Sequence, residues 1–169
     1  MSQILDFIEM IGKVKLTVRD NGKACKELTS NNLVVKGGRA LIAQSISGKN
    51  KENGTFFFIN QVGLGTGSSA KEDSNSALTD PVVETLLPTD SVISDANPYA
   101  VVFTKTISLK DKGTSGTKTV REAGLYYTQN NQNILFSRYT FPDITLQYND
   151  SHDISLEVEW TISIPSTVS

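Results

Sequence analysis

The segment Leu156-Glu157-Val158-Glu159-Trp160-Thr161-Ile162-Ser163-Ile164 alternates apolar and polar residues at every step. That is the period of a β-strand with one buried face and one wet face, and it commits the end of the chain to a sheet. Residues 13–19 repeat the pattern, with Val14, Leu16 and Val18 on one side and charged or hydroxyl-bearing side chains on the other. Asn21-Gly22 then supplies the positive-φ pair favoured in two-residue hairpins, and Lys26-Glu27-Leu28 forms the returning arm.

Further strands are expected at 55–63, 82–87, 99–109, 122–128 and 134–141. In 99–109, Tyr99, Val101, Phe103 and Lys105 share one face, and Asn130-Asn131 turns between the last two strands. Gln61–Ser69 and Arg121–Tyr127 each join a short apolar run to a glycine-containing turn. Residues 49–54, 65–80 and 111–118 read as polar loops, the last a mobile connection and the long middle one partner-facing.

One helix is expected, over 36–47. Ser30, Asn31 and Asn32 are its N-cap candidates, Leu41, Ile42, Ser45 and Ile46 its apolar face, and Gly48 its left-handed stop. Gly37 and Gly38 cost about 1 kcal/mol each relative to alanine, which is tolerable where the helix lies so close to a sheet that a side chain would not fit. Short strands at fairly regular spacing place the chain in the mainly β class. The expected architecture is an antiparallel β-sandwich with one packed α-helix and a short N-terminal helix or arm. The arm is 1–11 and the single sandwich domain 12–169, large enough to bury a core without staples.

Chemistry is harder to find. A net charge of −2, from 16 basic and 18 acidic residues, gives no general attraction for nucleic acid or an anionic membrane. The single cysteine, Cys25, excludes an intramolecular disulfide and reads as an incidental thiol despite Lys23 and Lys26 nearby. The opening residues lack the basic lead of a secretory signal, so the sequons at Asn53 and Asn149 are taken as chance. Gly63-Leu64-Gly65-Thr66-Gly67 follows a strand as a dinucleotide fingerprint would. Ser68 stands where the third glycine belongs, however, and a polar stretch replaces the helix. His152 is the sole histidine, which excludes a multi-histidine metal site and reads as a solvated turn residue, although Asp150 and Asp153 flank it. Asp73, Asp80, Glu84 and Asp90 lack the dense alternation of a calcium loop. No catalytic, cofactor-binding or metal-ligating residue is assigned, and an enzyme is not expected.

Two side-chain groups invite a role. Trp160, Phe141, Tyr126, Tyr127 and Tyr139 could stack sugars or bases, but their strand phase favours the core. Glu122 and Arg138 each interrupt an apolar strand. Buried as a pair, they would specify register between strands or subunits.

Taken in order, Gly12–Val18, Asn32–Gly38 opening a helix, Val62–Gly67, Ala77-Leu78, Glu122–Leu125, Leu135–Arg138 with Phe141-Pro142, and Val158–Ile162 resemble a family of tailed-bacteriophage virion proteins. These are tail-fibre, collar or baseplate-associated attachment domains. The resemblance spans roughly residues 12–164. It implies a β-sandwich that forms symmetric homo-oligomers with other virion proteins as partners and has no catalytic residues to transfer; no cofactor, nucleic acid or membrane is expected as a partner. Localisation in the virion, after synthesis in the host cytoplasm, follows from it. Only Pro165–Ser169 come after Ile164, which favours an adaptor, collar or decoration role over host recognition. Ile4, Leu5, Phe7, Ile8 and Ile11 of the arm are the expected interface residues. A capsid-attached head fibre or decoration protein, and a carbohydrate-binding module, are the alternatives.

Overall fold

The computed structural model describes residues 10–94, 99–113 and 115–163. In chain order its elements are β1 (Ile11–Asp20), β2 (Lys23–Asn31), β3 (Leu33–Val34), α1 (Lys36–Ile46), β4 (Lys51–Glu52), β5 (Thr55–Phe56) and β6 (Ile59–Gly65). These are followed by β7 (Pro81–Pro88), β8 (Asp90–Ile93), β9 (Ala100–Ile107), β10 (Gly116–Gln129), β11 (Gln132–Tyr148) and β12 (Asp153–Ser163). A single 3-10 turn covers Lys110–Lys112.

Among the described residues every strand pairing is antiparallel. β12 lies between β1 and β9 along its length but meets β11 only through Gln147↔Ile154 and Tyr148↔Asp153. The hydrogen-bonded sheet therefore folds over at this corner. One leaf runs β2-β1-β12-β9-β8 and the other β3-β11-β10-β6-β7. The arrangement is an antiparallel sandwich, with the small β4–β5 hairpin standing apart.

Alternation along the strands fills the space between the leaves. Val14, Leu16 and Val18 of β1 and Leu156, Val158, Trp160 and Ile162 of β12 join Val120, Ala123, Leu125 and Tyr127 of β10 in one buried cluster. Trp160 is fully buried, so truncating it to alanine is expected to cost about 3–5 kcal/mol. The intervening Glu157, Thr161 and Ser163 stay partly exposed, as the period of two requires. Tyr126, Tyr127, Tyr139, Phe141 and Trp160 are all buried; none forms a surface platform.

The helix starts at Lys36 as expected and ends at Ile46, but its cap differs from the expected one. Val35 occupies the N-cap and makes no side-chain cap; the Lys36 amide instead donates to the Asp73 carbonyl at 2.9 Å. Asn31 belongs to β2, and the Asn32 side chain is drawn to Ser137 on β11. A tertiary contact has displaced the local cap. Gly37 and Gly38 have the anticipated role. A Cβ on Gly37 would lie 2.6 Å from the Leu135 carbonyl oxygen, and one on Gly38 would overlap the Phe136 carbonyl. The helix backbone rests directly on β11. Gly48 adopts φ 67° just past the helix end. Leu41 is buried, but Ile46, on the same predicted face, is 77% exposed.

Several boundaries differ from the sequence reading. Residues 49–54 are not a loop: Asn53-Gly54, with both φ positive, turns β4 into β5. The strand expected over 55–63 is consequently split into β5 and β6. Gly124 is not in a turn but in the middle of β10, where an added Cβ would meet Leu135 Cδ1 at 2.7 Å and Tyr126 Cε2 at 3.0 Å. β11 continues past Pro142 to Tyr148, since the β10–β11 ladder is interrupted between Val120 and Glu122. A proline, lacking an N–H, is tolerated at such a break. The connection expected at 111–118 becomes the 3-10 turn and the start of β10. Ile11 is the first residue of β1, paired with Ser163, rather than the last of an arm. Ile4, Leu5, Phe7, Ile8 and Ile164 lie outside the described residues.

Candidate functional site

The outer face of the β10–β11 leaf should be wet in a simple sandwich. Yet Glu122, Ala123, Gly124, Leu125, Tyr126 and Tyr127 are buried without interruption. The segment 66–80 and the start of α1 cover that face. Beneath this cover Val35, Leu78, Tyr126 and Leu135 form a second, smaller apolar cluster. Burial pushes the Tyr126 phenol up to about 12, with smaller opposing effects from a hydrogen bond to the Leu78 backbone and from Arg138.

Glu122 and Arg138 meet here. They sit diagonally across the ladder, since Glu122 faces Thr140 and Gly124 faces Arg138. Arg138 Nη2 lies 2.7 Å from Glu122 Oε2 and Nε donates to the same oxygen at 2.9 Å. Both side chains are 0% exposed. The rest of each group is spent on the covering segment. The Gly67, Thr79 and Asp80 amides donate to the carboxylate at 3.2, 3.2 and 3.0 Å. The guanidinium donates to the Ala70 and Ser69 carbonyls, to Asn75 Oδ1, and to the Ser69 and Thr79 hydroxyls. The two charges clamp a long irregular segment onto the sheet through its own backbone.

This also explains the Gly63–Gly67 run. A Cβ on Gly65 would strike Glu122 Oε1 and come within 2.8 Å of the Asp80 carbonyl, and one on Gly67 would lie 2.6 Å from Glu122 Oε1. The glycines let a carboxylate approach the main chain, the same physical need that phosphate-binding glycines meet, but the anion is the protein's own. A buried carboxylate accepting this many hydrogen bonds beside a guanidinium has no access to solvent or substrate, so the pair does structural work. Two exposed ion pairs brace the surroundings. Arg39 on α1 holds Asp73 bidentately, with Nη2 to Oδ2 at 2.6 Å. Arg121 holds Asp143 at 2.7 and 3.0 Å across the ladder break.

The remaining sequence candidates do not converge. His152 is exposed in the β11–β12 turn, 3.6 Å from Asp20. Cys25 is exposed at a bulge on β2, its Sγ 3.3 Å from the Val18 carbonyl. Asp80 is engaged by Thr66, and among the described residues no three His, Cys, Asp or Glu side chains gather as metal ligands. No described helix is long and apolar enough to cross a membrane.

What sequence reasoning missed lies on the surface. β8 pairs only with β9 among the described residues, and Val92 and Ile93 are 61% and 68% exposed. Because consecutive strand residues point to opposite faces, each face of this border strand carries one exposed apolar side chain beside a polar one. A groove of about 480 Å³ runs between α1 and β3, lined by Met10, Leu33, Val34, Ile42 and Ile46. Phe56 and Phe58 are exposed at the far end of the β10 leaf. The available signal was weak, an apolar residue in the outward phase of a short strand. Comparison with family models, curated proteins and solved structures found no match.

Proposed function

We propose that the chain is a structural component of a tailed-bacteriophage virion, of the adaptor, collar or tail-fibre type. It acts by holding repeated contacts with copies of itself and with other virion proteins. The observation that carries this reading is the unfinished border at β8. Val92 and Ile93 on the two faces of an edge strand are the kind of surface that a neighbouring chain completes. The opposite border supports it by contrast. β2 is almost wholly exposed but carries Lys23, Lys26 and Glu27, charges that discourage strand addition. The groove beside α1 begins at Met10, next in sequence to the apolar residues Ile4, Leu5, Phe7 and Ile8, which suits partner docking there.

The internal clamp fits the same role. A module that transmits position between neighbours benefits from a covering segment fixed to its sheet by buried charge. The test is composition and labelling of purified particles from the source of the chain. The protein is expected at fixed stoichiometry, with antibody decoration at the tail or collar. Decoration of the capsid shell would move it to a head-fibre role, and its absence from particles would refute the proposal.

A further inference from the structure

Burial alternates along Phe56-Phe57-Phe58, with the middle ring inward and its neighbours outward. Phe57 is 7% exposed, whereas Phe56 and Phe58 are 58% and 63% exposed. Phe57 is pinned from both sides: its amide donates to the Asn50 carbonyl at 2.6 Å, and Asn50 Nδ2 donates to the Phe57 carbonyl at 3.4 Å. The two outer rings are thus held in water by the anchoring of the third.

They line a cleft of about 610 Å³, within the range of roughly 300–1,000 Å³ typical of small-molecule sites. Its other walls are two hairpin tips standing side by side. Asn53 (φ 48°) comes from the β4–β5 turn, and Asn130 and Asn131 (φ 53° and 59°) come from the β10–β11 turn. The tips are neighbours, with the Asn130 side-chain amide turned toward the Glu52 carboxylate. Asn60 and Thr128 complete the wall and hold each other at 3.3 Å.

We infer that this cleft is a binding site for a neutral oligosaccharide. Phenyl faces in water stack on apolar C–H surfaces, and side-chain amides offer a donor and an acceptor in one plane, which matches the adjacent hydroxyls rimming a sugar ring. Four asparagines and two threonines surround the exposed rings, and the turns at Asn53 and Asn130-Asn131 and the Asn60–Thr128 hydrogen bond already place several of these groups, which lowers the ordering cost of binding. Nucleic acid fits less well. The cleft's lining residues include no Lys or Arg, and Glu52 among them would repel phosphate, while Lys51 lies over the Phe56 ring at 5.8 Å. The site is separate from the β8 border and the groove beside α1, so its test does not depend on the virion role.

The experiment titrates the whole chain with maltohexaose, cellohexaose and chitohexaose, with polygalacturonate and oligo-dT as charged controls, read by amide NMR shifts and calorimetry. Expected is saturable binding of at least one neutral hexamer, with shifts at Phe56–Asn60 and Thr128–Asn131. Phe56→Ala and Phe58→Ala are expected to weaken it about tenfold or more, with thermal midpoints unchanged because both rings are exposed, and Phe58→Trp to retain it. No saturable shift with any neutral hexamer at about 10 mM, where a site of millimolar affinity is mostly filled, would overturn the inference. Shifts outside the cleft, tighter binding of oligo-dT, or cleft signals that respond to protein dilution alone would do the same.

Discussion

Replacing Arg138 by methionine tests the clamp most directly. The change removes both contacts to Glu122 Oε2 and five further donations to the covering segment. It leaves a fully buried carboxylate held only by the amides of Gly67, Thr79 and Asp80. Breaking a buried ion pair on one side costs about 3–5 kcal/mol. At about 2–4 °C per kcal/mol for a chain of this size, the thermal midpoint should fall by about 6–20 °C. Urea unfolding gives the free energy, and limited trypsin cleavage at Lys71 reports whether 66–80 has lifted from the sheet. The double variant Glu122→Leu/Arg138→Met distinguishes this site from an ordinary buried pair. Apolar replacement of an ion pair is often neutral, but here three backbone amides and two backbone carbonyls would lose their partners. The double variant should therefore cost less than the sum of the single changes yet remain well below the parent protein. A loss under about 1 kcal/mol for Arg138→Met, typical of a surface pair, would refute the clamp. So would full recovery in the double variant.

Gly38→Ala should destabilise by about 1–3 kcal/mol through overpacking against β11, although alanine is the better helix former; a urea melt gives the sign. The Arg39 and Arg121 hydrogen bonds hold Asp73 and Asp143 below their ordinary value of 3.8. The stability these carboxylates contribute is therefore present above about pH 4 and lost as pH falls through their lowered values. The loss should be modest and weaker in salt because both pairs are exposed; urea midpoints of Asp73→Asn and Asp143→Asn against pH check it. Tyr126 works in the opposite direction. With its phenol raised from 10.0 to about 12, stability falls as pH rises through that interval, and phenolate absorbance should show Tyr126, and to a lesser degree Tyr127, which burial also raises, resisting titration until the fold opens. Val92→Lys or Ile93→Lys should shift any self-association toward monomer in sedimentation velocity. The thermal midpoint of the monomer should stay within about 0.5 kcal/mol equivalent of the parent, as expected for exposed positions.

Local pattern alone was enough for the span of α1 and for the buried faces of β1 and β12. Their apolar residues recur at one clean period, so the buried face was written in the spacing of Val14, Leu16 and Val18 and of Leu156, Val158, Trp160 and Ile162. Asn21-Gly22 likewise declared its turn, because two positive φ angles are a property of those residues themselves. The same chemistry at Asn53-Gly54 went unread, since the strands around it are two residues long and give no period to frame the turn. Pairing of Glu122 with Arg138 could be suspected from two charges in apolar strands. What they clamp could not, because the segment 66–80 has no periodicity and its place is fixed by contacts across 42 to 69 residues of chain. The same division explains the helix cap. Asparagine and serine are good caps in isolation, but Asn32 had a better partner on β11 and Lys36 a carbonyl from Asp73. Side-chain period is a short-range property and survives in one dimension. Which backbone a buried charge meets, and which apolar residue is left in water at a border, depends on where distant segments come to rest, and only the folded chain decides that.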